Sequence, residues 1–115
     1  MKKTSVFVWH KRALIKIYSD DIRCLVVEGN YTKILISPTE YYMARCPLDD
    51  ALKRLPAGEF VKIHRSWAVS INYIEEIKRD AVILPGIELT VSRQYYKLLK
   101  QKLSIIGKQS PPAKD

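Results

Sequence analysis

Apolar and polar residues alternate with a period of two along most of the chain, in short β-branched or aromatic runs separated by turn residues. Such runs have the length of ordinary strands and fit a pleated, half-buried surface. The pattern predicts a mostly β fold with strands at Ala13–Tyr18, Cys24–Val27, Tyr31–Ser37, Tyr41–Arg45, Val61–His64, Trp67–Ile71, Ala81–Leu84 and Ile87–Val91.

Two segments follow the helical period instead. In the segment 47–55, apolar residues recur one helical turn apart, Pro47 suits the first turn, and Gly58 follows the predicted end. In the segment 92–106, Ser92 is placed to cap the amino end. The apolar stripe of this second predicted helix is formed by Tyr95, Leu99, Leu103 and Ile106.

The dipeptide Pro85-Gly86 separates the last two predicted strands. Proline presets φ for the first central position of a turn, and glycine supplies a positive φ at the second. We therefore expect a β-hairpin with a two-residue loop at this point.

One basic residue interrupts an otherwise apolar row. Every second residue from Val61 to Ile71 is apolar except Arg65. An unpaired guanidinium is costly to bury. Either the strand breaks at 64–66 and the arginine points outward, or a carboxylate within the fold pairs with it.

Composition and charge limit the classes of partner. The 115 residues contain 47% hydrophobic and 28% charged residues, as expected of one globular domain, which we place at 1–107. The Pro-, Ser- and Lys-containing stretch 108–115 is predicted to be a disordered tail. Twenty Lys and Arg against twelve Asp and Glu give a net charge of +8. This excess favours a polyanionic partner, nucleic acid before a membrane surface.

The first residues do not form a signal-peptide core, because the apolar run 6–9 stops at His10. No stretch approaches the roughly 20 apolar residues that cross a bilayer, so we expect a cytoplasmic protein without a membrane partner. In a reducing compartment, Cys24 and Cys46 are expected to be unbridged and to act as small core hydrophobes.

The inventory of catalytic groups is poor. The chain has two histidines and lacks the sequence patterns of metalloproteases, phosphate-binding loops and dinucleotide sites. We therefore expect neither an enzyme nor a bound cofactor or metal ion.

Four stretches resemble the LytTR family of bacterial DNA-binding domains: "DDIRCLVVEGNYTKILI", "PLDDALKRLPAGEF", "FVKIHRSWAVSINYIEEI" and "IELTVSRQYYKLLKQKL". They occur in the family's order, and the similarity runs over about 19–103. Val26 and Ser70 depart from the family's usual glutamate and asparagine. The resemblance implies a compact domain of several small antiparallel sheets with one or two short helices.

The resemblance also implies that loops, rather than a helix, enter successive major grooves of duplex DNA. A planar arginine fork can bind guanine O6 and N7 with two hydrogen bonds. The implied base contacts are Thr32, Lys33, Arg65 and Arg93. The implied backbone contacts are Asn30, Tyr31, Lys62, His64, Ser66 and Ser92.

We therefore expect a bacterial transcription regulator, or the DNA-binding part of one, that binds double-stranded DNA sequence-specifically. The family implies that pairs of molecules act on repeated sites, with a monomer or weak dimer when free. Most relatives carry a receiver or membrane module, for which 115 residues leave no room. The alternative is a small β scaffold that binds RNA or a protein partner.

Overall fold

Residues 4–110 of the computed structural model form a mostly β structure with two short helices, as predicted. The helices are α1 (Leu48–Lys53) and α2 (Arg93–Gln101). The strands are β1 (Ser5–His10), β2 (Ala13–Tyr18), β3 (Cys24–Glu28), β4 (Tyr31–Leu35), β5 (Tyr41–Ala44), β6 (Phe60–His64), β7 (Trp67–Ser70), β8 (Glu76–Ile77), β9 (Ala81–Leu84) and β10 (Ile87–Thr90).

These strands form three small sheets, and every pairing between neighbouring strands is antiparallel. Strands β1 and β2 form a separate two-stranded sheet. The central sheet has the order β5-β4-β3-β7-β6, and the third sheet has the order β10-β9-β8. Several small antiparallel sheets were expected, and this part of the prediction is confirmed.

The central sheet is buried on both faces, because alternate residues of its strands join two different cores. Leu25 and Ala68 face the core shared with the β1–β2 hairpin and α1. Their neighbours Cys24 and Val69 face the core shared with the third sheet and α2. The period of two seen in the sequence thus serves two cores rather than one core and solvent.

Two strands were missed and one helix was predicted too long. The prediction contained neither Ser5–His10 nor Glu76–Ile77. Helix α2 ends at Gln101, and Ile106 is fully exposed, so placing Ile106 in the apolar stripe was wrong. Leu99 and Leu103 do pack in the core as predicted.

The turn at Pro85 and Gly86 is confirmed: it joins β9 to β10, with Leu84 opposite Ile87 and Gly86 at a φ of 70°. Cys24 and Cys46 are both free thiols, the first buried and the second half-buried. Residues 108–110 of the predicted tail are exposed, while 111–115 lie outside the described residues.

Candidate nucleic-acid interface

Arg65 lies at the tip of the β6–β7 hairpin, outside the apolar row that contains it in sequence. Strand β6 ends at His64, and Arg65 and Ser66 form a two-residue turn. The pairing register shifts between Lys62 and His64, which is a β-bulge, and a bulge re-aims the side chains beyond it. The strand therefore breaks at 64–66, and the Arg65 side chain is exposed.

A set of hydrogen bonds and one ring stack hold this turn in place. The Ser66 carbonyl accepts the Val27 amide at 2.8 Å, and the Ser66 amide donates to His64 Nδ1 at 3.0 Å. The His64 ring stacks on Trp67 at 3.8 Å between centroids. Trp67 Nε1 donates to the Thr90 carbonyl at 2.8 Å, which links the hairpin to the third sheet. The protrusion is therefore rigid.

The guanidinium of Arg65 takes no part in that network. Among residues 4–110, it has no hydrogen-bond or ion-pair partner. The sequence allowed either an outward arginine at a strand break or an arginine paired with a carboxylate of the fold. The structure has the outward arginine. An exposed, unpaired guanidinium on a rigid turn keeps all its donors available to a ligand.

Arg65 opens onto a cleft of about 520 Å³, here called the hairpin cleft. Two further predicted residues, Asn30 and Lys62, line this cleft with it. Arg45 also lines it and was missed by the sequence analysis, because it was counted only as the end of a strand. Lys62 Nζ lies 2.9 Å from Asp49 Oδ1, so one of the three cations is paired.

Thr32 does not lie on a loop surface. It belongs to β4, is fully buried, and donates its hydroxyl to the Cys46 carbonyl at 2.8 Å. The expectation that Thr32 contacts a base is therefore wrong, because its side chain points into the core. The tip of the β3–β4 turn is formed by Gly29 and Asn30. Both tip residues are exposed, as is Tyr31.

Lys33, the neighbour of Thr32, is already engaged. Its ammonium lies 3.6 Å from a carboxylate oxygen of Glu28 and 4.1 Å from the centroid of the Tyr41 ring. Its side chain keeps only 24% of its surface exposed. A ligand at this position would share the Lys33 ammonium with Glu28 and the Tyr41 ring.

The beginning of α2 carries the second predicted arginine. Ser92 is the N-cap residue and Arg93 the first helical residue, as expected. The expected side-chain cap is absent, however, because Ser92 Oγ makes no hydrogen bond and is buried. The Ser92 amide instead donates to the Ile63 carbonyl at 3.1 Å, which ties the start of α2 to the hairpin strand β6.

Arg93 lines a cleft of about 530 Å³, here called the helix cleft. Three other cations border it, and the sequence analysis did not assign them to a site: Arg79, Lys97 and Lys100. Asp80 is the one carboxylate among its lining residues. Arg93, Lys97 and Lys100 are spaced at about one helical turn, and this spacing was a signal that they share one face.

Comparison with known proteins identifies the family and the fold. The family model of the LytTr DNA-binding domain matches residues 12–104. The chain belongs to the LytTR family. Its fold also matches a solved LytTr DNA-binding domain of Bacillus cereus, with a TM-score of 0.76 and 20% identity over 90% of this chain and 100% of that one.

Curated relatives align with much of the chain. LytT, a sensory transduction protein of Bacillus anthracis, is 30% identical over 91% of this chain and 44% of its own length. RcoM 2, a heme-containing CO-sensing transcriptional regulator of Paraburkholderia xenovorans, is 31% identical over 86% of this chain and 39% of its own. The chain thus spans less than half the length of these relatives.

Within residues 4–110, neither helix has the length and apolar character of a membrane span. The same residues contain no group of three or more His, Cys, Asp or Glu side chains arranged to hold a metal ion.

Proposed function

We propose that this LytTR domain binds double-stranded DNA sequence-specifically. It is proposed to be either a bacterial transcription regulator by itself or the DNA-binding part of one. The observation that carries the proposal is Arg65, an unpaired guanidinium on a rigid two-residue turn beside a basic cleft. A protrusion of this kind fits the major groove of a duplex, where base edges are exposed.

Arg65 is proposed to bind guanine O6 and N7 with both arms of its guanidinium. The contacts of Ser66, His64 and Trp67 fix the turn before DNA arrives, so little conformational entropy is lost on binding. Arg65, at the tip of the turn, is the residue that reaches the base edges. The Ser66 and His64 side chains are therefore proposed to contact only the DNA backbone.

Arg93 is proposed as the second base contact. It opens α2, where unpaired backbone amides and the helix dipole favour a phosphate, while the long side chain reaches past it. Ser92 can contribute only through its backbone position, because its hydroxyl is buried. The helix cleft supplies additional phosphate contacts through Arg79, Lys97 and Lys100.

The third contact is proposed to come from the β3–β4 turn. Asn30 replaces Thr32 as the base contact, because its amide is exposed and can pair with adenine N6 and N7. Tyr31 and Lys33 are then candidates for phosphate or edge contacts near this turn. Lys62 and Arg45 in the hairpin cleft complete the contacts to the backbone.

Two copies are proposed to act together on repeated sites, with only a monomer or weak dimer in free solution. The outer face of the β1–β2 hairpin exposes four large apolar side chains: Phe7, Trp9, Leu14 and Tyr18. A stable interface uses about 20 to 30 residues on each side, far more than one face of a hairpin supplies. Contacts between copies therefore need DNA to hold the partners close.

Selection from a random duplex library tests this function. The expected result is an enriched site with a fixed guanine, bound in preference to single-stranded RNA of the same sequence. Preferential binding of the RNA would favour the alternative β scaffold. Failure to enrich any duplex, with a folded protein, would contradict sequence-specific DNA binding.

A further inference from the structure

A second cavity, lined mostly by apolar residues, also borders α1. It has a volume of about 320 Å³, which is within the range of small-molecule sites. Its walls come from β1, the central sheet and the end of α1. The buried side chains among its lining residues are all aliphatic: Val8, Ile22, Leu25, Ile34 and Leu55.

Charged residues stand only at the mouth of this cavity, on the α1 side. Asp50 and Arg54 line it and are both exposed. A neighbouring cleft contains the same two residues together with Lys53, which does not line the cavity itself. Within residues 4–110, Arg54 forms no ion pair, because the two pairs present are Lys33–Glu28 and Lys62–Asp49.

An apolar, half-open cavity bordered by an unpaired guanidinium favours one class of ligand. The aliphatic walls favour a hydrocarbon body of up to about the cavity's size. The Arg54 guanidinium favours a carboxylate, which it can bind with two hydrogen bonds. A small carboxylic acid with an apolar tail satisfies both conditions at once.

Helix α1 connects this cavity to the hairpin cleft. Asp50 and Ala51 line the cavity, whereas Leu48 and Asp49 line the hairpin cleft, and Cys46 lines both. Asp49 also holds the Lys62 ammonium at 2.9 Å. The helix has only six residues and no side-chain N-cap, so a small displacement of it is inexpensive.

We propose that the cavity binds a small apolar carboxylic acid, and that this ligand acts on DNA binding through α1. A ligand that displaces α1 moves Asp49, and with it the carboxylate that restrains Lys62 in the hairpin cleft. By linkage, a duplex must then alter the affinity for the acid by the same factor. The second half of this inference rests on the proposed function, and the first half does not.

Octanoate and 1-octanol are suitable probes, since they share the apolar body and differ in the head group. Titration calorimetry should show octanoate binding to the full chain. Arg54→Gln should weaken octanoate binding about tenfold and leave 1-octanol unaffected. The matched control is Lys53→Gln, because it removes a neighbouring charge that does not line the cavity. An equal loss in both variants would mean surface attraction only and would overturn the site.

Filling the cavity tests its location. Ala51→Trp should abolish binding of both probes while the circular dichroism spectrum stays native. Ala44→Leu, on the sheet side, serves the same purpose if the tryptophan variant does not fold. Undiminished octanoate binding in a folded filled variant would overturn the proposal.

The coupling is tested on the selected operator duplex. Saturating octanoate should change the duplex affinity of the full chain about fivefold, and the octanoate concentration that gives half of this effect should rise about tenfold in Arg54→Gln. Octanoate binding with an unchanged duplex affinity would reject the coupling through α1. A chain that binds octanoate but no duplex would reject the proposed function and leave the cavity site standing.

Discussion

Arg65 and Lys62 lie on the same hairpin, yet the structure gives their side chains different surroundings. Arg65 is exposed at the turn, and no other described residue pairs with it. Lys62 lies within the strand and is held by Asp49, which is itself 67% exposed. An ion pair this open to solvent contributes little to stability, so Asp49 can yield Lys62 to a phosphate at low cost.

Replacing each of these cations by alanine should separate base reading from phosphate binding. Arg65→Ala is expected to lower affinity for the best operator by about 1 to 3 kcal/mol and to relax preference at one base pair. Lys62→Ala should weaken all duplexes alike and reduce the salt slope by about one. Matched and single-mismatch duplexes at two salt concentrations provide the measurement. An Arg65→Ala protein with a lower melting temperature but full base preference would assign the arginine to the fold.

The two thiols should differ in reactivity. Burial raises the pKa of Cys24 from 9.0 to about 11, against a smaller opposing effect of Arg23 and Lys33. A thiol-specific reagent at neutral pH should therefore modify half-buried Cys46 in the native protein, and Cys24 only after unfolding. Rapid modification of Cys24 in the native protein would contradict its place in the core.

The raised pKa of Cys24 also predicts a pH dependence of stability. Between pH 9 and about 11, the folded state keeps the thiol proton that the unfolded state loses. The free energy of unfolding should therefore fall as the pH rises through this window. Denaturant titrations should show a steeper decline for the unmodified protein than for Cys24→Ala, in which only the other groups titrate.

Local rules alone did not settle the single residues of the site. For Arg65, the apolar row left two arrangements open, an outward arginine at a strand break or a structural ion pair, and only the family resemblance favoured the first. Thr32 was assigned to a loop, but it lies in β4 and points into the core. Which side of the strand it occupies follows from the alternation only once β4 is known to begin at Tyr31. Arg45 was missed because no neighbouring residue in the sequence indicates that Arg45 and Arg65 line the same cleft.

At the level of elements, α2 is anchored by one side chain more than by any other. Leu99 is fully buried against the third sheet and β6, whereas the adjacent Leu98 is 45% exposed. Leu99→Ala should destabilise the protein by about 2 to 5 kcal/mol through lost burial and a cavity. Leu98→Ala is the matched control and should change stability by less than about 0.5 kcal/mol. Equal effects in urea denaturation would mean that α2 is not packed through Leu99.

The β9–β10 turn should tolerate only glycine at its second position. Gly86 has a φ of 70°, and a Cβ at this position would lie 2.7 Å from Pro38 Cγ. Gly58, with a φ of 83° and nothing within 4 Å, isolates the backbone effect. Gly86→Ala should cost about 1 to 3 kcal/mol, and more than Gly58→Ala. The excess should disappear when thermal unfolding is measured in a Pro38→Ala background; its persistence would exclude the contact as the cause.

Elements were predictable in proportion to their length and periodicity. The hairpin at Pro85 and Gly86 was foreseen, because two residues specify it. Strand β1 was missed because its outward positions carry Phe7 and Trp9, which hide the alternation of a half-exposed strand. The two-residue strand β8 is too short for any period to register. Helix α2 was overextended, since the apolar Ile106 continued its stripe in sequence only.

For the molecule as a whole, the charge should govern how binding responds to salt. The net charge is +8, and two separate clefts gather cations around Arg65 and around Arg93. If about six phosphates are neutralised, the logarithm of the association constant should fall with the logarithm of the salt concentration with a slope of about −5. Fluorescence anisotropy over a range of salt concentrations gives this slope. A value near zero would contradict the proposed DNA binding.

The resemblance was recognised over about 19–103, close to the 12–104 matched by the family. The resemblance predicted the class of fold, because conserved stretches in a fixed order form the same strands and helices in the same order. The resemblance did not predict that β6 approaches the start of α2, where the Ser92 amide donates to the Ile63 carbonyl, because these residues lie far apart in sequence.

The rigid turn at Arg65 has a consequence for how this domain could acquire new targets. Backbone groups and the His64–Trp67 stack hold the turn, and the side chain at position 65 contributes nothing to it. Substitutions at position 65 can therefore be sampled with little penalty in folding. Sequence preference can drift by single steps on an unchanged scaffold, as long as Ser66, His64 and Trp67 are kept.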